Sequence, residues 1–306
     1  MTDLTVGVLA LQGAFVEHIV LLKQAAAFLA SSNDPTSGKI RNFTCIEVRT
    51  EEQLRQCDAL VLPGGESTAI SLVAERSGIL EPLRDYVKVL RKPVWGTCAG
   101  LILLAESANK SKSTGQELIG GLDVRVHRNY FGRQVESFTA DLDLPFLGDS
   151  RRFPSVFIRA PVVEKVLPPS AAPIDHSAEG RISAPPRRET SATVEILGRL
   201  PGRAKAIRDK TVTAEELGED GDIIAVRQGN VFGTSFHPEL TGDSRIHAWW
   251  LKEVLLLKEG ETFVQIRPDN ALIQLCATHV LQTVQRILVC VVFDEAEATG
   301  CLVEAI

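Results

Sequence analysis

The stretch Val94-Trp95-Gly96-Thr97-Cys98-Ala99-Gly100-Leu101-Ile102-Leu103-Leu104 limits the possible folds more than any other part of the chain. A short apolar run passes directly into a second one through Gly-x-Cys-x-Gly, the pattern of a strand that turns sharply into a helix. Glycines two residues either side of the central position let the two backbones cross at close range. Such a turn displays its middle side chain in a strained conformation, here a thiol at the start of a helix over Ala99–Ala105. Backbone N–H groups and the dipole favour a thiolate at that point. The pentapeptide alone also fits tight strand–helix packing around a small buried cysteine.

The residues before the turn supply the sheet it needs. Thr5–Leu11, Phe43–Val48 and Ala59–Leu62 are continuous apolar runs of strand length, as in parallel strands covered on both faces. Between them lie helical stretches: 15–29, with Phe15, Ile19, Leu22 and Ala26 at three- and four-residue spacing, and a short one opened by the capping box Thr50-Glu51-Glu52-Gln53. Further helices follow at 69–76 and 79–90, so the first hundred residues read as strand and helix in alternation. The predicted class is α/β: a doubly wound, mostly parallel sheet with helices on both faces. Shorter alternating runs at 122–127, 137–142 and 155–158 predict an antiparallel extension of that sheet.

Two further places bear on chemistry. Pro63-Gly64-Gly65-Glu66-Ser67-Thr68 follows a strand, where open α/β sheets place ligands, although it also fits an ordinary turn with a hydroxyl cap. Val231–Phe236 pairs with 223–227 as a hairpin and ends in His237-Pro238-Glu239. A cysteine nucleophile needs a base, and the base needs an acceptor to fix its tautomer; His237 and Glu239 fit those roles. Metal-ligand spacings such as CxxC are missing among the six cysteines, and no cofactor or metal is predicted.

With Cys98 in its elbow and His237-Pro238-Glu239 downstream, the chain resembles a class I glutamine amidotransferase of the Cys-His-Glu kind. Gly7–Ala14, Leu62–Thr68, Arg128-Asn129-Tyr130-Phe131-Gly132-Arg133-Gln134 and Phe157-Ile158-Arg159-Ala160-Pro161 narrow the likeness. Over roughly residues 4–258 it is similar to the glutaminase subunit of pyridoxal 5′-phosphate synthase. The resemblance implies a flavodoxin-like fold and hydrolysis of L-glutamine to glutamate and ammonia, with Cys98, His237 and Glu239 as the catalytic residues. It assigns Gly65, Glu66, Ser67, Arg128, Ile158 and Arg159 to glutamine and the backbone N–H groups of Gly65 and Ala99 to the oxyanion. It implies a (β/α)8 synthase subunit as partner in a large hetero-oligomer. The alternatives are the glutaminase of another pathway and a non-catalytic scaffold.

Composition sets the remaining bounds. The 306 residues carry 33 Lys and Arg against 39 Asp and Glu, a net charge of −6 without a basic block, which excludes a phosphate-backbone binder. Reduced thiols and a first strand without a leader predict a cytoplasmic protein. The apolar run 281–293, interrupted by Arg286, is too short for a membrane span. The amidotransferase domain is expected over 1–258, with mobile insertions at 31–41, 167–193 and 209–222 where Pro, Ser, Gly and charge replace periodicity. Residues 259–306 form an extension to which the sequence assigns no role.

Overall fold

The computed structural model describes residues 2–31, 40–109, 116–128, 137–168, 181–185, 192–201 and 221–258. Strands β1 (Thr2–Leu9), β2 (Ile40–Val48), β3 (Ala59–Leu62) and β4 (Val94–Thr97) are parallel, in the order β2-β1-β3-β4. Helices α1 (Phe15–Ser31), α2 (Glu51–Arg55), α3 (Ser67–Arg76), α4 (Leu80–Arg84) and α5 (Ala99–Leu104) connect and follow them. Thr50 closes its predicted capping box with Gln53, which starts α2. The helix expected over 79–90 changes character midway. After α4 the chain widens into a π-helical turn, Asp85–Val89, that buries Tyr86, Val87 and Lys88. Lys88 Nζ there pairs with Glu106 at 2.7 Å, both side chains almost wholly buried.

Beyond α5 the sheet gains antiparallel pairs as expected, among them 122–127 with 162–166, but not from every segment named. The elbow helix stops at Leu104 and the chain goes straight into β5 (Ala105–Asn109), with Ala105 already extended. Strand β6 (Leu122–His127) runs parallel to β5. The segments near 138–142 and 153–157, expected in the main sheet, instead form their own two-stranded antiparallel sheet, β7 (Phe138–Leu142) with β8 (Phe153–Phe157). Strands β9 (Val162–Val166), β10 (Arg181–Ser183), β11 (Glu195–Leu200), β12 (Asp222–Gln228) and β13 (Val231–Thr234) complete an eleven-stranded sheet, ordered β10-β5-β6-β9-β12-β13-β4-β3-β1-β2 with β11 beside β12. Arg181–Ser183 lies within the predicted 167–193 insertion, yet it is the edge strand bonded to Ser107–Asn109. Of that insertion, 169–180 and 186–191 lie outside the described residues, as do 32–39, 209–220 and the whole of 259–306. No helix among the described residues is long and apolar enough to cross a membrane.

Two apolar clusters cover the two faces of the sheet. One is built on Leu54, Ile70, Leu83 and Leu101 to Leu104; the other joins Leu22, Ala25 and Leu29 of α1 to Ile246, Trp250, Leu251 and Val254 of the last helix, α6 (Arg245–Lys258). On α1 the buried stripe is His18, Leu21, Leu22, Ala25, Ala26 and Leu29, so Phe15 and Ile19 lie at its edge and a histidine takes a core position.

Strand β13 pairs in parallel with β4, Gly233 opposite Gly96 and Thr234 opposite Thr97. These two facing glycines form a trough for α5. A methyl on Gly233 would lie 2.6 Å from Leu101 Cδ1, and one on Gly96 would lie 2.5 Å from the Gly100 carbonyl carbon. On the helix side, a methyl on Gly100 would lie 2.1 Å from the Leu62 carbonyl oxygen. Because backbone blocks that methyl, Gly100→Ala has to push α5 off the sheet. It is expected to lose about 1–3 kcal/mol of stability, as overpacked cores do. Urea titration checks this, and unchanged stability would mean that α5 does not ride so close to β3.

Candidate active site

Cys98 follows the last residue of β4 with φ 47° and ψ −97°, a left-handed φ that a side-chain-bearing residue rarely adopts. The strain is held by what surrounds it. The Cys98 N–H donates to the Thr234 carbonyl at 2.8 Å, extending the β4–β13 ladder one step, while α5 fixes the other side of the turn. His237 leaves the same edge of the sheet three residues beyond β13. Its N–H donates to the Val156 carbonyl of β8 at 2.8 Å, so the small separate sheet holds the histidine backbone. Pro238–Leu240 then form one 3-10 turn, which folds Glu239 back so that His237 Nδ1 and Glu239 Oε1 lie 2.7 Å apart. Residues from two parallel strands thus meet because both strands end there. The three residues are almost wholly buried: Cys98 is 6 %, His237 7 % and Glu239 4 % exposed.

Electrostatics follows from that burial. Desolvation alone pulls the His237 pKa down. The Cys98 sulfur beside the ring, by charge and hydrogen bonding, and the Glu239 carboxylate outweigh it and push the value up to about 10. Burial disfavours a charged Glu239, yet the His18 and His237 imidazoles at its two oxygens hold its pKa below the ordinary carboxylate value. The arrangement favours a charged imidazolium at His237 beside an ionised Glu239. Burial pushes the pKa values of Cys45 and Cys57 up to about 12, leaving them as thiols.

The glycine turn after β3 lies across this pair. A methyl on Gly64 would stand 2.2 Å from His237 Cε1, so only glycine lets the loop cover the imidazole. The Ala14 N–H donates to the Gly64 carbonyl at 3.1 Å, and Gln12 Oε1 accepts the Glu66 N–H at 2.8 Å. Residues 12–14 therefore fix the conformation of the 64–66 turn. Glu66 is the N-cap of α3, accepting from the Thr68 and Ala69 N–H groups at 3.2 and 2.7 Å. Ser67 donates to Gln116 Oε1 at 3.4 Å and Thr68 donates to the same atom at 3.1 Å. Arg128 is buried after β6, its backbone held by Asn109 Oδ1 at 2.7 Å. Desolvation lowers its pKa to about 10 against the opposing influence of Glu66, which places that carboxylate near it. The Ile158 carbonyl lies 4.0 Å from Cys98 Sγ. Arg159 is exposed, with φ 46°.

All nine residues singled out from the sequence, with Ala99 as the first residue of α5, are therefore described in the structure. Cys98, His237, Glu239, Gly65 and Ile158 gather at the carboxyl edge of β3, β4 and β13. Glu66 and Ser67 are engaged in holding α3, Arg128 sits near Glu66, and Arg159 projects to solvent. Sequence reading missed Gln12 and Gln116, which brace the glycine turn and α3, and it missed His18, Thr97 and His247. The one signal for His18 is its spacing on the α1 stripe, where a polar residue occupies a core position.

The folded pKa of His237 lies above its unfolded value of about 6.5, so the stability this group contributes is complete below that pH and is lost as pH rises through about 10. Cys98→Ala removes the first of the two raising partners. Urea titrations across this range are expected to give a shallower loss of stability in Cys98→Ala than in the unaltered chain; parallel losses would contradict the assigned coupling.

The model of the SNO glutamine amidotransferase family matches residues 8–194 and 192–256. The chain is 39 % identical to "Probable pyridoxal 5′-phosphate synthase subunit PDX2" of Arabidopsis thaliana, over 84 % of this chain and 88 % of that one. It is 40 % identical to "Pyridoxal 5′-phosphate synthase subunit SNO1" of Saccharomyces cerevisiae, over 81 % and 92 %. A crystal structure described as a glutamine amidotransferase superposes with a TM-score of 0.55 at 36 % identity, covering 82 % of this chain and 98 % of that one. The chain belongs to the SNO glutamine amidotransferase family.

Proposed function

We propose that this chain is the glutaminase subunit of a pyridoxal 5′-phosphate synthase and that Cys98, His237 and Glu239 carry its chemistry. The observation that supports this most is the convergence of a strained, buried Cys98 and the His237–Glu239 pair under the Gly64–Gly65 turn. The Cys98 thiolate attacks the side-chain carbonyl carbon of L-glutamine, and the oxyanion forms between the N–H groups of Gly65 and Ala99. His237 gives its proton to the departing amine, which leaves as ammonia. Water, deprotonated by His237, then splits the thioester to glutamate and restores the Cys98 thiolate beside the His237 imidazolium. Glu239 holds the imidazole through Nδ1 and offsets its charge.

Glutamine is recognised as a free amino acid. Arg128 takes the α-carboxylate, and Glu66 and Ser67 line the same side of the pocket. Ile158 and Arg159 close the other side, with the Ile158 carbonyl toward the reacting sulfur. Ammonia is passed to a (β/α)8 synthase subunit, in a hetero-oligomer in the cytoplasm. The names of the Arabidopsis and yeast relatives, each a pyridoxal 5′-phosphate synthase subunit, favour this pathway over another amidotransferase route.

Cys98→Ala removes the nucleophile at small cost in volume. It is expected to keep the circular dichroism of the unaltered chain and lose at least about a thousandfold in glutamate release; near-normal turnover by the folded variant would refute the mechanism. A second expectation concerns the glycine turn. The Ala14 N–H fixes the Gly64 carbonyl, and with it the direction of the Gly65 N–H on the same peptide plane, but glycines can adopt the reversed plane at small cost. Binding of the synthase selects the plane that completes the oxyanion site. Titrating the synthase subunit at saturating glutamine is therefore expected to raise kcat about 10²- to 10³-fold, the value of one oxyanion donor. A rate that ignores a demonstrated complex would refute this gating, and a fall in KM alone would place the effect in the glutamine pocket.

A further inference from the structure

Behind Glu239 lies a file of polar groups to which the reaction above gives no role. Glu239 Oε1 is taken by His237, while Oε2 is buried without a donor in good hydrogen-bond geometry. His18 Nε2, on α1, stands 3.4 Å from Oε2 and 3.2 Å from Thr97 Oγ1, next to Cys98 in the chain. The other ring nitrogen, Nδ1, is 3.0 Å from His247 Nε2 on α6. Both rings are fully buried, and Trp95 packs edge-on against each, with centroids 5.5 and 4.8 Å apart.

The proton positions follow from what each nitrogen faces. A bare Nε2 on His18 would set its lone pair against a carboxylate oxygen, so Nε2 carries the proton, facing Thr97 Oγ1 at 3.2 Å and Glu239 Oε2 at 3.4 Å, and Nδ1 accepts from the His247 Nε2–H. That leaves His247 Nδ1 as a bare acceptor, and it too is buried without a hydrogen-bond partner. An acceptor is the cheaper group to leave unmatched in a core, since an orphaned N–H is rarely tolerated. Desolvation lowers the pKa of both rings, so neither adds a buried charge at neutral pH. Titratable groups acting on His18 are Glu239, His237 and Glu17, with His247 in hydrogen-bond contact; those acting on Glu239 are His18 and His237.

We propose that His18 is a positioning residue of the hydrolysis: its neutral imidazole donates from Nε2 toward Glu239 Oε2, which aims Oε1 at His237, while His247 braces the His18 ring from behind. This rests on the reading of Cys98, His237 and Glu239 as the reacting set. A carboxylate held at one oxygen only can turn about its last bond. Held at both, it keeps one lone pair on His237 Nδ1 and stays ionised to lower pH.

The test reads the Cys98 thiolate directly, as the pH dependence of its alkylation by iodoacetamide in the full chain, followed on the Cys98 peptide by mass spectrometry. Glutamate release in the presence of the synthase subunit is measured alongside. Without the donor, Glu239 takes up its proton at higher pH, the imidazolium loses its counter-charge, and the thiolate goes with it. His18→Leu and His18→Asn are expected to move the acid limb of alkylation upward by about one pH unit, in the range of shifts that a lost hydrogen bond produces. They should lower kcat about tenfold with KM little changed, the lower end for loss of an orienting partner. His18→Gln, whose amide N–H reaches the place of Nε2, is expected to stay near the unaltered chain in both.

If His18→Leu does not fold, the Gln and Asn variants decide the matter between them. An unmoved acid limb in folded His18→Asn overturns the proposal. Equal losses in the Gln, Asn and Leu variants overturn it too, since they would mark mere packing. Glu239→Gln separates the two readings: if it alone is inactive while every His18 variant behaves like the unaltered chain, only this inference falls. If Glu239→Gln is itself fully active, the reacting set falls and the inference with it.

Discussion

The parallel pairing of β4 with β13 is the constraint on which the site depends. It joins residues about 140 positions apart in the chain, Thr97 to Thr234, and ends both strands at one edge. Cys98 and His237 then need no long loops to meet. The price in a parallel sheet is that both faces must be covered, and the register answers this with opposite solutions on the two sides. Trp95 and Phe232, adjacent across the pair with centroids 5.6 Å apart, fill the α1–α6 face. Gly96 and Gly233, the next residues along, leave the other face bare so that α5 can sit against backbone. Alternation of the largest and smallest side chains along two neighbouring strands therefore sets the height of the helix that begins just after Cys98.

The same logic extends to the turn over the site. Gly64 approaches His237 more closely than any side chain would allow, and this is why the imidazole is desolvated despite standing at a sheet edge. Desolvation would silence a lone histidine. Here it strengthens the pull of sulfur and carboxylate on either side, because charges interact more strongly where water is excluded. The packing that covers the ring thus also sets its protonation. Tight backbone contact and pKa elevation are two consequences of one missing Cβ.

How much of this was legible in the sequence depended on range. Features fixed within a few residues were readable: the glycines of the elbow, the Thr50 capping box, the apolar parallel strands, and the Pro turn that puts Glu239 behind His237. Features fixed across the fold were not. No glycine or proline marks the end of α5 at Leu104, and Ala105-Glu106-Ser107-Ala108-Asn109 lacks the residues that favour strands; it is extended because β6 and β10 flank it. Arg181–Ser183 is hidden for the same reason, a three-residue strand in a segment rich in proline and charge. β7 and β8 alternate as strands should, but alternation does not tell which sheet a strand joins.

His18 and His247 are the extreme case, 229 residues apart and each unremarkable in its own helix. Helix periodicity treats a histidine on an apolar stripe as a defect, and only the facing helix reveals that the defect has a complement. Burying two imidazoles in the layer between α1, α6 and the sheet costs desolvation that leucines at those places would not incur. A fold under selection for packing alone gains nothing from them. Their placement behind Glu239, with Trp95 fixing both rings edge-on, connects the packing of α1 against α6 to the aim of a carboxylate at the opposite end of that layer. On the proposal made for His18, a shift of either helix is felt at His237 through the contact of His18 with Glu239. The core on that face is then as much a part of the catalytic geometry as the elbow itself.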